Sequence, residues 1–427
     1  MSLSREGYKK RILDEQLEKY LLAFGAVCLE GPKWCGKTWT ALNHANSVYY
    51  VASPENNFQN RLFAQLSPDL VLPGETPRLL DEWQEVPALW DAVRFEVDQT
   101  QNRGQFLLTG SATPNQKGIL HSGTGRIARL LMRPMSLFES GESNGSISLE
   151  SLFTSPLKPS QAKKTTLPEL ITLTIRGGWP GSIGLHDAAA AGVPKVYLKN
   201  VIEEDLRRMD GKSRDTQKIT LLLRSLARNE STVVSNRTLQ RDMIEKEDEP
   251  ISAESIAEYL NALTRLFIIE DQRAYNPNLR SSIRVGKSVK RHFIDPSLAA
   301  AALGANTERL LNDLNTYGLL FEAMCVRDLK IYSESFGAQV FHYRDDSGRE
   351  IDAVIELPDG SWGAFEIKLG ANQIDDAARD LLAIQKLMEE DPKAKAPAVL
   401  GVICGLSHFG YTREDGVMVI PITALKP

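Results

Sequence analysis

The sequence predicts an α/β chain of more than one domain, and three observations lead there. Short apolar strands alternate with helical stretches in the first part. Helical patterns dominate from about Asp215 to Leu303, and from about Asn312 the order becomes helix, strand, hairpin, helix, strand. Alternating strands and helices build a parallel sheet covered on both faces. A length of 427 residues exceeds one ordinary core. The breaks divide the chain into 1–210, 211–303 and 304–427.

In chain order, AVCLE is the first strand and TWTALNHA the helix after it. SVYYVAS, PRLLDE and QFLLTGS supply further strands. Residues Ser140 to Lys164 are rich in Ser, Gly, Pro and Lys and read as a surface insertion or long loop. Helices resume in LPELITLTIRGG, VPKVYLKNVIEEDLRRM, TQKITLLLRSLARNE and ISAESIAEYLNALTRL. In the last of these, Ile256, Tyr259, Leu260, Leu263 and Leu266 recur at helical spacing. Near the end, AVIEL and WGAFEIKL flank the turn PDGS and form a hairpin.

A formal net charge of −5, with 42% apolar and 25% charged residues, gives no global reason for nucleic-acid or membrane binding. The charged N-terminus lacks the apolar core of a secretory signal, and no run reaches the roughly 18 apolar residues a membrane helix needs. Cys28, Cys35, Cys325 and Cys404 are not paired at zinc-site spacing. A cytoplasmic protein with reduced thiols is expected.

Residues Gly31, Pro32, Lys33, Trp34, Cys35, Gly36, Lys37 and Thr38 read GPKWCGKT, which fits GxxxxGK[ST] at every fixed position, and Trp39 continues into the helix. Glycines let the backbone wrap phosphate oxygens without an obstructing Cβ. Successive amides and the helix N-terminus form an anion nest. Lys37 would reach the β- and γ-phosphates, and the Thr38 hydroxyl would ligate Mg²⁺. The strand RLLDE ends in Asp81, which would hold the hydration shell of Mg²⁺, and Glu82, which would polarise the attacking water. QFLLTGS ends in Thr109 and Ser111, hydroxyls placed to sense the γ-phosphate. Either Arg126 or Arg129 could neutralise transition-state charge, in cis or from a neighbouring copy in a homo-oligomer.

GPKWCGKT, LLDEWQEVP, FLLTGSAT and GRIARLLMRPMSLFE together resemble a large bacterial and archaeal family of AAA-type P-loop ATPases that carry a C-terminal domain of unknown function. The likeness continues in GGWPGSI, YLKNVIEEDL, HFIDPSLAAAALG and GLLFEAMCVRDL, so it covers nearly the whole chain. Here Lys33 stands where the usual family loop has arginine, and Trp34-Cys35 replace its middle pair. The resemblance implies ATP as the nucleotide; the guanine-reading NKxD pattern is absent. It also implies an AAA-type domain with a helical extension over 1–210.

Residues 211–303 look like a winged helix-turn-helix, with Ser252 as N-cap and Phe267-Ile268-Ile269 opening the wing. Arg273, Arg280, Arg284, Lys287, Lys290 and Arg291 follow with no acid between them, a basic strip that either contacts DNA phosphates or is solvated. Residues 304–427 carry Glu322, Asp352, Glu366 and Lys368 in the E…D…ExK order of a restriction-endonuclease-like core. Asp352 and Glu366 would ligate a divalent metal, with Glu322 adding a contact through water and Lys368 positioning the attacking water. This requires Asp352 to lie opposite Glu366 or Lys368, since a one-residue slip would turn it to the other face.

Two readings follow: an ATPase that drives a DNA-binding or nuclease-like module, or a nucleotide-gated switch that recognises a protein partner and cuts nothing.

Overall fold

The computed structural model of the chain describes residues 3–55, 58–112, 119–244, 251–278, 289–345, 347–390 and 394–427. The first sheet holds β1 (Ala26–Glu30), β2 (Ser47–Tyr50), β3 (Arg78–Asp81), β4 (Phe106–Gly110) and β5 (Ile127–Leu131). Its order is β2-β3-β4-β1-β5, and every pairing is parallel. Val27, Leu29, Leu79 and Leu107 feed one buried cluster, and Ala26, Cys28, Leu80 and Leu108 feed another. Burial on both faces is what a parallel sheet covered by helices requires. β5 was not among the expected strands, because Arg129 interrupts its apolar run at the sheet edge.

The stretch Ser140–Lys164 is not a free loop. It contributes β6 (Ile147–Ser148) and β7 (Ser160–Gln161), which pair with the C-terminal strands described below. Ile147, Leu149 and Leu152 are buried there, and their apolar contacts outweigh the loop-like composition around them. The middle of the chain folds as helices Thr216–Arg228, Asn236–Ile244 and Ala253–Arg265, followed by the antiparallel pair β8 (Ile269–Gln272) and β9 (Lys290–Phe293). Ser252 caps the third helix by accepting from the Ser255 amide, and Ile256, Leu260 and Leu263 are buried. Arg280, Arg284 and Lys287 lie outside the described residues.

The last part adds β10 (Gln339–Arg344), β11 (Glu350–Glu356), β12 (Trp362–Lys368), β13 (Val399–Cys404), β14 (Phe409–Thr412), β15 (Met418–Pro421) and β16 (Leu425–Lys426). β7 and β10 to β15 form one sheet in the order β10-β11-β12-β13-β15-β14-β7, and β16 pairs with β6. The helix Leu314–Ser335 is buried along most of its length. One apolar cluster runs from Leu137 to Leu425, so burial does not break between residues 303 and 304.

Polar contacts close the seam between the first sheet and the rest. The Met135 amide donates to Gly178 O (2.7 Å), and the Gly178 amide donates to Asp295 (2.9 Å). A Cβ on Gly178 would lie 2.0 Å from Met135 O, so no side chain fits there. The Trp179 indole donates to Ser297 (2.9 Å), and Arg327 bridges Asp295 and Asp328. Asp328 in turn accepts from the Leu137 amide (2.9 Å).

Candidate functional site

Three strand ends converge at the carboxyl edge of the first sheet, where open α/β sheets bind ligands. The loop after β1 enters the helix Lys37–His44 through Gly36 at φ +106°. Gly31 has φ +151°, and a Cβ there would sit 2.2 Å from Met132 O. Both glycines are thus demanded by the backbone. Lys37 is buried and its ammonium donates to Gly31 O (2.9 Å) and Pro32 O (2.7 Å).

β4 lies between β1 and β3, which brings its hydroxyls to the acids. Asp81 Oδ1 accepts from Thr38 (2.8 Å) and Thr109 (2.7 Å). Burial pushes the Asp81 carboxyl above its ordinary range, against the pull of those two hydroxyls. Glu82 sits in the left-handed region at φ +58°, its amide donating to Thr109 (3.0 Å). Its carboxylate accepts from Ser111 (2.9 Å) and from Gln84. Ser111 is therefore bound to Glu82.

Thr38 and Asp81 fit the oxygen donor set of Mg²⁺, which uses one or two carboxylates plus phosphates and keeps its waters. Both side chains that donate to Asp81 are neutral hydroxyls. A cavity of about 1070 Å³ opens over this constellation, lined by Lys37, Thr38, Glu82 and Ser111. Trp34 is 64% exposed at the loop, and Trp39 carries Arg5 over its ring at 5.8 Å. Lys33 pairs with Asp205 (2.5 Å). Cys35 contributes its carbonyl, which accepts from the buried Arg11 guanidinium (2.8 Å).

The arginines differ from expectation. Arg126 pairs with Asp98 (2.7 Å) on an exposed face, and Arg129 pairs with Glu30 while stacking on Trp90 at 4.4 Å. The structure brings neither to the cavity within this chain. Arg61 and Arg208 line it instead and share Glu85, at 3.4 and 3.7 Å. No motif marks them, since they come from the helices Gln59–Leu66 and Leu206–Asp210, remote in sequence from the loop.

The C-terminal constellation also assembles. β11 and β12 pair Ala353 with Phe365, and continuing that register sets Asp352 opposite Glu366. Asp352 Oδ2 accepts from the Ile367 amide (2.8 Å) and Lys368 (3.3 Å), and Lys368 also donates to Glu366 (2.5 Å). Glu322 reaches the same point from the helix Leu314–Ser335. A residue not assigned to this site completes it: Lys290 of β9 donates to Glu322 (2.8 Å) and lies 3.7 Å from Asp352 Oδ1. Burial, with the Asp352 charge beside it, pushes Glu366 up to about 8, and burial does the same to Glu322. Asp352 is held low: burial alone would raise it, but the ammoniums of Lys368 and Lys290 prevail.

The expected metal site at Asp352 and Glu366 does not fit this geometry. Both oxygens of Asp352 and one each of Glu322 and Glu366 already face an ammonium or an amide. Among the described residues, no group of three or more His, Cys, Asp or Glu side chains is arranged to hold a metal. The basic strip is likewise not one exposed face: Lys290 is buried, Arg291 pairs with Asp271 (3.3 Å), and Arg273 is exposed.

An AAA domain model matches residues 23–140. A Domain of unknown function (DUF8612) matches residues 167–309, and a Domain of unknown function (DUF4143) matches residues 317–425. An AAA-type P-loop domain thus stands ahead of a C-terminal domain of unknown function. Uncharacterized proteins of Mycobacterium tuberculosis and Mycobacterium bovis are each 23% identical over 84% of this chain and 74% of their own length. A Walker-type ATPase of Pyrococcus abyssi superimposes with TM-score 0.45 at 15% identity, over 70% of this chain and 97% of that one. The Aeropyrum pernix ORC1 protein, solved in complex with DNA, gives TM-score 0.23 at 14% identity, over 72% of this chain and 95% of that one. Among the described residues no helix is long and apolar enough to cross a membrane.

Proposed function

We propose that the protein is a Mg²⁺-dependent ATPase whose nucleotide state is passed to the domains behind the AAA domain, as a regulatory switch that recognises a protein partner and has no nuclease activity. One observation carries this reading: a buried arginine relay leads out of the phosphate loop. Arg11 donates to Cys35 O in the loop (2.8 Å) and to Arg133 O (2.9 Å). The Arg133 guanidinium in turn grips Glu270 of β8 (3.0 Å) and Glu334 of the helix Leu314–Ser335 (2.8 Å). A shift of the loop on nucleotide binding would reach the β8–β9 pair through two arginines. Contiguity of this kind supports coupling, and a two-state response must be measured.

In the hydrolytic step, a water oxygen attacks the γ-phosphorus while the bond to the β-phosphate oxygen breaks and ADP leaves. Thr38 would hold Mg²⁺ and Asp81 would bind its hydration shell, and the ion would offset phosphate charge. Lys37 turns from the carbonyls of Gly31 and Pro32 to the β- and γ-phosphates. Glu82 orients the attacking water, and release from Ser111 and Gln84 frees its carboxylate to do so.

The test measures Mg²⁺-dependent ATP turnover by wild type and Lys37→Ala, with and without DNA, and hydrogen exchange across β8–β9 with ADP and with a non-hydrolysable ATP analogue. Turnover lost in Lys37→Ala, and β8–β9 protection that changes with nucleotide in wild type but not in Arg133→Ala, is the expected result. DNA-stimulated turnover, or DNA cutting in Mn²⁺, would return the reading to DNA processing.

A further inference from the structure

We infer that the carboxyl groups of Glu322 and Asp352 serve as the receptor for Lys290 of β9, an internal cation beside the acids where a metal was expected, and that this contact latches the β8–β9 pair onto the C-terminal sheet.

The case begins with burial. Lys290 is 3% exposed, and a buried ammonium without partners is strongly disfavoured. Its partners come from elements distant in sequence, Glu322 at 2.8 Å and Asp352 at 3.7 Å. An oxygen-ligated divalent ion would need the same carboxylate oxygens at roughly 2.0–2.6 Å. An ion bridging Glu322 Oε1 and Asp352 Oδ1 would therefore have to displace the Lys290 ammonium. Lysine suits the position because its charge is compact and sits on a flexible stem. Lys368 supplies a second ammonium from inside the sheet, so three carboxylates face two cations, one of which the β8–β9 pair carries in.

The rest of β8–β9 is built to hold the lysine in register. Gln272 donates to Phe341 O (2.9 Å) and Asp352 O (3.0 Å), so the same aspartate is held at side chain and backbone. His292, two residues from Lys290 and on the same face of β9, bonds Gln272 Oε1 (2.9 Å) and Glu230 (3.0 Å). Beyond β8, Ala274 bridges to His342, and the Tyr275 ring packs on Trp362 at 4.9 Å. The latch thus joins charge, backbone and ring contacts at one seam, and it stands whether or not nucleotide state moves it.

Two measurements on the full chain, without nucleotide, test it. The first is Mn²⁺ uptake followed by electron paramagnetic resonance in wild type and Asp352→Asn. Equal uptake is expected, because the cluster takes no metal; uptake that Asp352→Asn abolishes overturns the inference. The second is hydrogen exchange at residues 290–293 in Glu322→Gln, which keeps the side-chain shape and removes the stronger carboxylate partner. Exchange faster by about tenfold or more is expected from losing a charge-assisted contact. Protection equal to wild type overturns the latch. Should Glu322→Gln fold poorly, Lys290→Met carries the same reading, with Mn²⁺ uptake in wild type unaffected by that difficulty.

Discussion

Two pairs of acids, one where β3 ends and one within β11 and β12, are treated in opposite ways. Asp81 and Glu82 are held by neutral groups: Thr38 and Thr109 on one, Ser111 and Gln84 on the other. Asp352 and Glu366 are held by cations, Lys368 on both and Lys290 on the first. Hydroxyls orient a carboxylate and leave its charge available. Ammoniums use that charge up. Acid motifs of similar appearance can therefore prepare one site for a metal and fill another, and one residue that bears on this outcome, Lys290, lies outside the motifs.

The largest effect should come from Glu82→Gln, which keeps the hydrogen-bonding shape and removes the charge. ATP turnover should fall about 10²- to 10⁴-fold with nucleotide binding retained, measured by steady-state hydrolysis beside equilibrium binding. A full-rate variant would remove Glu82 from the chemistry and break the comparison on its open side. On the filled side, Lys290→Met should cost about 3–5 kcal/mol of unfolding free energy by leaving buried carboxylates unpaired. The double variant with Glu322→Gln should cost less than the two single losses added together, and additivity in denaturant titrations would dissolve the pair.

Thr109→Val should lower turnover about tenfold by freeing Asp81 and the Glu82 amide at once, the loss expected for about 1.4 kcal/mol of misplacement. Wild-type rates in that variant would mean that Thr38 alone orients Asp81. A smaller effect concerns Glu230, whose carboxyl burial pushes up to about 8. A raised acid keeps its proton in the folded state after the unfolded chain has lost it. Stability should fall as pH rises from about 4.5 towards 8, by at most about 1.4 kcal/mol per pH unit. Glu230→Gln should flatten that slope in thermal denaturation. Arg126→Ala should change turnover by less than about twofold at low protein concentration, since its partner Asp98 lies on an exposed face. A large, concentration-dependent loss would instead identify it as a residue acting on a neighbouring copy.

Legibility in the sequence followed the range of the contact. GPKWCGKT could be read because phosphate chemistry demands its glycines, Lys37 and Thr38 at that local spacing, and in the structure a Cβ at Gly31 would meet Met132 O while Thr38 bonds Asp81. The register of Asp352 against Glu366 could be posed as a condition from strand alternation, and β11–β12 meets it. Lys290 could not be found this way. Within KRHF it read as one more charge in a basic strip, although alternation already set it on the same face as His292. Which face was inward depended on a helix and a sheet that follow it in the chain. Arg61 and Arg208 were illegible for the same reason, since only folding brings them to one glutamate. Ser140–Lys164 failed differently: its composition spoke for a loop, while its buried Ile147, Leu149 and Leu152 decided otherwise.

The seam around Gly178 bears on how such a protein can be inherited. Leu137, Met135 and Arg133 end the first domain with an amide on Asp328, an amide on Gly178 and a guanidinium on Glu270 and Glu334. A gene fragment encoding only the first 140 residues would yield a domain stripped of all these partners, with a buried arginine left to solvent or to aggregation. Recombination that shuffles freestanding modules would be selected against at this join. GGWPGSI, HFIDPSLAAAALG and CVRDL supply the far side of this seam, through Gly178 and Trp179, Asp295 and Ser297, and Arg327 and Asp328.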